Sequence, residues 1–471
     1  MASKERLWAL NATEAARRLG EGRITAEALT ASCLERIAAL EPKVHAFAFL
    51  DAERALADAR ESDRRRKTGL PGGPLFGLPV GIKDIVDTAG MATECGSPLE
   101  RGRRPRRDAT LVARLRAAGA VILGKTVTTE YAVYHPGPTR NPHDLERTPG
   151  GSSSGSAAAV AAAMLPLAVG TQTNGSVIRP ASFCGVYGMK PSFGAISRAG
   201  VLTQAPALDQ IGGFARSLED LALLLDAMIG HDPADLATRP EPAPRLAEQL
   251  ARAPRLKPRL AFVESARWPE AEEDTKAAFA ELIETLGDAV QPVQLPSFFD
   301  QGWEMQRRIM LSELAHNLAP AYARGRPAKG EQLLSDRLAA MIEEGRQVSA
   351  VAYHEARAAQ RVMQAELDEL FAVHDAVLTP AAPGQAPRGM ATGSPVFCSL
   401  WTLAGVPALS LPILSGADGL PIGVQMVGGF GEDGRLLATA RWVTELVAPR
   451  RRSETTDRRS ETKARPTRRR R

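Results

Sequence analysis

Three short segments carry side chains whose types and spacing suit acyl-transfer chemistry. Gly150-Gly151-Ser152-Ser153-Ser154-Gly155-Ser156 runs straight into an Ala-rich apolar stretch, and Gly170-Thr-Gln-Thr-Asn-Gly-Ser176-Val-Ile-Arg179-Pro180 follows it. Leu78-Pro-Val-Gly-Ile-Lys83-Asp84 is an apolar run that ends in a lysine. Glycines ahead of a helix permit unusual backbone angles, and free N–H groups there favour developing negative charge. Small residues ahead of Ser176 let several backbone N–H groups surround one point, which is what an oxyanion hole requires. A partly buried lysine loses proton affinity and becomes usable as a base. Each segment also has a plain structural reading: a Ser/Gly linker, a serine-capped turn, a solvated strand-end charge. The linker reading fails because an apolar helix follows at once. A Walker phosphate loop fails because the GK[ST] ending is absent.

The elements around these segments must hold them together. Residues 78–86 and 120–124 read as buried strands with a helix over 109–118 between them, a strand–helix–strand order that points to an α/β sheet. The apolar stretch 157–169 is interrupted by Pro166 and reads as a buried helix, too short to span a membrane. The first seventy residues read as helices, one over 26–40 with Thr25 as N-cap and Glu41-Pro42 as its end, a second from 51 to about 65. Ser217-Leu-Glu-Asp220 is a capping-box start for a helix that Gly230 closes. Residues 231–256 read as a surface connection, 270–287 and 303–370 as mostly helical, and 377–380 and 407–412 as strands returning to the sheet. The expected organisation is an N-terminal helical segment over 1–69 packed on the core, one catalytic domain over 70–447, and a disordered basic tail over 448–471.

Bulk properties exclude several classes. Hydrophobic content of 44% with 24% charged residues is ordinary for a globular chain able to build a large core. The formal charge of +5 could suggest a nucleic-acid partner, but residues 450–471 hold eleven Lys/Arg and three Asp/Glu. The rest carries 48 basic against 51 acidic residues, so the body is mildly acidic and the tail lacks the aromatic interleaving of a nucleic-acid binder. Cys33, Cys95, Cys184 and Cys398 are widely separated, fitting neither a disulfide framework nor a zinc site. No export signal opens the chain and no stretch suits a membrane span, so the default is a soluble cytoplasmic protein.

Taken in order, the motifs resemble the amidase signature family. They are Gly77-Leu-Pro-Val-Gly-Ile-Lys83-Asp84, Asp87-Thr-Ala-Gly90, Gly96-Ser97, Gly150-Gly-Ser-Ser-Ser-Gly155, and Ser176 twenty-four residues past Ser152. Phe183-Cys-Gly185, Gly188-Met-Lys-Pro191, Leu208-Asp-Gln210, Gly405-Val-Pro-Ala408, Gly419-Leu-Pro421 and Gly423-Val-Gln425 follow. The resemblance covers about 70–230 and 375–445, with a looser part between them that would shape the substrate pocket. It implies an α/β fold with a mixed β-sheet core sandwiched between helices. It also implies a Ser–Ser–Lys triad. Ser176 would be the nucleophile, Ser152 the proton relay after a cis Gly151–Ser152 peptide, and Lys83, neutral at rest, the base. Backbone N–H groups of Thr173, Asn174, Gly175 and Ser176 would hold the oxyanion, and Ser153 would line the site. No metal or cofactor is implied.

Two departures from the commoner family pattern mark this chain. Arg179 stands three residues after Ser176 rather than two, and Gln172 occupies a usually acidic position. The Ser-Val-Ile-Arg-Pro variant is similar to malonamidase-like members, whose equivalent arginine binds a substrate carboxylate. Arg179 is therefore an anion-anchor candidate, with a structural arginine bonding loop carbonyls as the alternative. His135, His143 and His316 fit surface or packing roles, and Cys184 reads as a small core residue. The leading expectation is an amidase acting on a small or medium carboxamide, with carbamate (urethane), anilide or ester hydrolysis as variants of the same chemistry. A second expectation is the A subunit of a tRNA-dependent amidotransferase, against which Gln172 and the shifted arginine count. The partner expected is a small amide or carbamate, with no membrane or nucleic acid and a homodimer left open.

Overall fold

A computed structural model of the chain describes residues 5–69, 72–252, 257–327 and 330–448. Among the described residues eleven strands form one mixed sheet: β1 (Phe47–Leu50), β2 (Pro79–Lys83), β3 (Val121–Thr126), β4 (Leu167–Gln172), β5 (Tyr187–Lys190), β6 (Gln210–Ala215), β7 (Leu260–Val263), β8 (Val290–Val293), β9 (Ala376–Pro380), β10 (Ala408–Ser415) and β11 (Pro421–Val427). Their order across the sheet is β1-β3-β2-β4-β6-β5-β10-β11-β9-β7-β8. β2 runs parallel to both β3 and β4, while β4 pairs antiparallel with β6. The central strands β2, β3, β4 and β6 are buried along their whole length. Their runs of small and branched apolar residues reflect this, because a strand covered on both faces has no reason to alternate.

Helices cover both faces, and two glycines of β6 show how. A Cβ at Gly213 would meet Leu224 and Leu221 of the helix Leu218–Asp226, whereas one at Gly212 would meet Val177 beside the helix Ile178–Cys184. Successive strand residues point to opposite faces, so the two helices lie on opposite sides of the sheet. The expected mixed sheet between helices is what forms.

Several local expectations need correction. The apolar stretch 157–169 is not one helix. The helix Ser154–Ala161 ends before Pro166, and the remainder is β4, because proline cannot continue a helix and β-strand pairing takes over beyond it. The helix Ala26–Val44 passes through Pro42 and ends where His45 turns left-handed (φ 51°). Glu41, expected to mark its end, bonds the N–H groups of Ala46 and Phe47 instead. The first seventy residues also contain β1, which adds a strand to the sheet edge beside β3. The helix after Ser217 stops at Asp226, short of Gly230. Within 231–256 a helix, Leu246–Arg252, buries Leu246 and Leu250, and the Asp226 carboxylate accepts from its Leu246 and Ala247 N–H groups. The tail expected to be disordered lies, after Ala448, outside the described residues.

Candidate active site

Lys83 is the last residue of β2 and is fully buried. Its Nζ lies 2.7 Å from Ser152 Oγ and 2.7 Å from Thr171 Oγ1. Loss of solvent pushes its pKa well below the ordinary lysine range, Asp209 opposes that shift, and Arg179 adds to it. No carboxylate pairs with Lys83 among the described residues, so an uncharged amine is the state this pocket favours.

Ser152 is held by the turn into the helix Ser154–Ala161. Gly150 adopts φ +81°, and the Gly151–Ser152 peptide is cis. That helix packs against the backbone at Gly155, where a Cβ would fall 2.2 Å from Ala46 O and 2.4 Å from Val127 N. No other residue type fits there. Ser152 and Ser176 line one cavity with Thr173, Asn174 and Arg179. Ser153, expected in the substrate wall, is turned away: its Oγ donates to Thr171 O (3.2 Å) and accepts from Thr171 N (3.3 Å), and it does not line the cavity.

The loop from Thr173 to Ser176 is fixed through its carbonyls. Thr173 O accepts from Gln306 Nε2 at 3.2 Å, and Asn174 O accepts from Thr402 Oγ1 at 2.5 Å. In a planar trans peptide the following N–H points opposite to the carbonyl. The Asn174 and Gly175 N–H groups are therefore aimed away from Gln306 and Thr402. Ser399 Oγ donates to Asn174 Oδ1 (2.6 Å), and Asn174 Nδ2 donates to Tyr134 Oη (3.2 Å). Thr173 Oγ1 sits 2.6 Å from an Asp209 carboxylate oxygen, and burial raises that acid to about 6.

Gln172 explains its departure from the acidic pattern. Its Oε1 accepts from the N–H groups of Val177 (2.8 Å) and Ile178 (3.0 Å), capping the helix that carries Arg179. Its Nε2 donates to Thr402 Oγ1 (2.9 Å), the hydroxyl that in turn holds Asn174 O. A carboxylate could cap the helix but could not also donate.

Arg179 is buried. Nη2 donates to Gly151 O at 2.5 Å, while Nε and Nη1 have no acceptor, and no carboxylate pairs with it among the described residues. The anchor and the structural reading of this residue thus each hold a share of it: one guanidinium nitrogen bonds a loop carbonyl, and two nitrogens are left without an acceptor in a side chain that lines the cavity. Burial lowers its pKa, as expected for a desolvated cation.

Sequence reasoning missed Thr171, Tyr134, Gln306, Ser399 and Thr402. Thr171 sits five residues before Ser176, and its position beside Lys83 follows only from β2 and β4 being parallel neighbours. The other four come from distant segments without a motif of their own. His143 bonds Cys184 O, and Cys184 is a buried thiol whose pKa burial raises, so neither stands as a catalytic group.

Comparison with known proteins agrees with this architecture. Residues 28–437 match the Amidase family. The chain is 37% identical over 455 residues to the A subunit of glutamyl-tRNA(Gln) amidotransferase from Chloroflexus aggregans, covering 89% of this chain and 92% of that one. Among solved structures it superposes with a TM-score of 0.85 and 33% identity on a chain from a vestigial complex tied to the origins of an s-triazine catabolic enzyme, covering 93% of this chain and 98% of that one. The peptide amidase of Stenotrophomonas maltophilia gives 0.80 and 30%, covering 93% and 96%. These likenesses do not single out the malonamidase-like branch, so that nearness stays an expectation carried by the Arg179 motif alone. No helix of the described residues is long and apolar enough to cross a membrane. With its motifs, its sheet and these likenesses in agreement, the chain belongs to the Amidase family and is an enzyme that hydrolyses amide C–N bonds.

Proposed function

We propose that this enzyme cleaves a carboxamide through an acyl-enzyme on Ser176, and that the acyl part of the amide bears a carboxylate received by Arg179. Ser176 Oγ bonds to the carbonyl carbon as its proton passes to Ser152 and the Ser152 proton passes to neutral Lys83. The carbonyl oxygen becomes an anion facing the N–H groups of residues 173–176. The proton on Lys83 returns through Ser152 to the departing nitrogen, the C–N bond breaks, and the amine leaves. Water then repeats the same route to release the acid and restore Ser176. The observation that carries this reading is the 2.7 Å contact between a fully buried lysine and Ser152 in the cavity that also holds Ser176. The two unspent donors of Arg179 support the acidic substrate, since a buried guanidinium is costly until its N–H groups are filled.

The same tetrahedral route serves carbamates, anilides and esters. A panel of all four, each with and without an acyl-side carboxylate, tests the reaction and the anchor together. Equal rates on acidic and neutral members would remove Arg179 from recognition. Labelling with a serine-reactive phosphonate, read by mass spectrometry, should mark Ser176, and a label elsewhere would end the assignment.

The amidotransferase reading has its own support, because the curated relatives carry that name. Glutamine is itself an amide whose acyl part bears a carboxylate, so the two readings share a site and differ in where ammonia goes. Ammonia release from glutamine by the isolated chain, at a rate exceeding its hydrolysis of other acidic amides, would favour this second reading.

A further inference from the structure

The cavity shared by Ser152, Ser176 and Arg179 has a wall that includes Tyr134 and Met341. Met341 lies on the helix Asp336–Arg346, and Arg337 precedes it by four residues, one turn earlier on the same face. The Arg337 guanidinium carbon stands 5.0 Å from the centre of the Tyr134 ring. Tyr134 Oη is bonded by Asn174 in the loop beside the nucleophile. The exposed arginine therefore stacks on a ring that lines the cavity and is tied to the 173–176 loop through Asn174.

Two further features set Arg337 apart. It is exposed, and among the described residues it pairs with no carboxylate, unlike nearby Arg307 with Glu344 and Arg326 with Asp336. It also occupies the first turn of a helix capped by Ser335, where the helix dipole disfavours a cation. A guanidinium held over an aromatic ring still has its N–H donors to offer, and their fork matches a carboxylate.

We propose that Arg337 is a specificity-determining residue that receives a carboxylate on the departing amine. The preferred substrate would then be an amide acidic at both ends, its acyl carboxylate at Arg179 and its amine-side carboxylate at Arg337. This inference rests on the Ser176 acyl-enzyme reading above. It also separates the two functional readings, because an amide of ammonia has no group to place at Arg337.

The test uses two aryl phosphonates whose departing phenol carries either a carboxylate or the corresponding carboxamide. Inactivation rates are measured for the full chain and for Arg337→Gln and Arg337→Lys, with the labelled residue identified by mass spectrometry. Wild type should react about tenfold faster with the carboxylate probe relative to the carboxamide than Arg337→Gln does, and Arg337→Lys should keep part of that ratio. Added salt should shrink the wild-type preference, since the arginine is exposed. The same ratio in wild type and Arg337→Gln overturns the inference while leaving the acyl-enzyme reading intact. Absence of a label on Ser176 overturns both. Arg337 is on the surface, so the glutamine variant should fold, and circular dichroism checks it.

Discussion

Among the described residues Lys83 has no carboxylate partner that would keep it charged, and on the proposed mechanism this is what lets it act as a base. Burial favours the neutral amine, and only that form can take a proton from Ser152. Activity is therefore expected to fall as pH drops through an ionisation well below the ordinary lysine range, and to stay level above it in kcat/KM. Lys83→Arg should fill much of the same space yet lose about 10²–10⁴-fold in rate, because an arginine stays charged. A variant profile that retained the wild-type acid limb would assign that limb to another group. Arg179→Gln should raise KM for amides with an acyl-side carboxylate more than for their neutral counterparts, in a side-by-side kinetic comparison, whatever loss both share from releasing Gly151 O. These residues are readable in the sequence because the proposed chemistry would need glycines, serines and a strand-end lysine in fixed register, and that register is visible as a motif. Ser153 misleads because three adjacent serines look alike on paper, and only the turn into the helix Ser154–Ala161 decides which hydroxyl faces the cavity.

Elements meet here largely through carboxylates and amides that cap a neighbour's backbone. Asp220 reads in the sequence as the far half of a capping box, and Ser217 does accept from its N–H at 3.1 Å. The Asp220 carboxylate itself leaves the helix and accepts from the N–H groups of Ala12 (2.9 Å) and Thr13 (2.8 Å), capping the helix Ala12–Gly20. Asp63 does the same for Ala26 and Glu27. Such pairings are invisible in sequence because cap and helix lie up to about two hundred residues apart, and hydrophobic periodicity carries no information about them. Asp220→Ala is expected to cost about 1–3 kcal/mol, since it leaves buried N–H groups unpaired. Hydrogen exchange should show the loss concentrated in residues 12–20, and uniform loosening would argue against the cap. Gln172 plays the corresponding part beside the active site. On the proposed mechanism Gln172→Ala should lower kcat more than it raises KM, because it releases both the helix carrying Arg179 and the Thr402 hydroxyl that holds Asn174 O.

At the scale of the molecule, the sheet encloses three lysines among the described residues: Lys83 in β2, Lys125 in β3 and Lys190 in β5. Lys125 Nζ donates to Val86 O and Thr93 Oγ1 and lies 3.5 Å from Asp84. Lys190 Nζ donates to Gln210 Oε1 and to Val406 O, tying β5 to the turn that starts β10. In the sequence the apolar run before Lys83 suggests partial burial, whereas nothing there singles out Lys125 or Lys190 as buried. Desolvation pushes Lys125 down to about 8 and Lys190 to about 7. Between those values and the ordinary lysine pKa, the unfolded chain holds protons that the folded chain has lost, so stability should rise with pH. The thiols act with the opposite sign. Burial raises Cys33, Cys95 and Cys398 to about 12 from an ordinary 9.0, so above that value the folded chain keeps protons that the unfolded chain sheds. The two effects oppose one another, so stability should pass through a maximum on the alkaline side of neutrality. Urea midpoints measured from pH 7 to 11 should climb, pass through that maximum and fall. A steady decline from pH 7 would mean that the lysines are buried as ions. Lys190→Met should flatten the rising limb while lowering stability throughout, because Gln210 Oε1 and Val406 O then lose their donor.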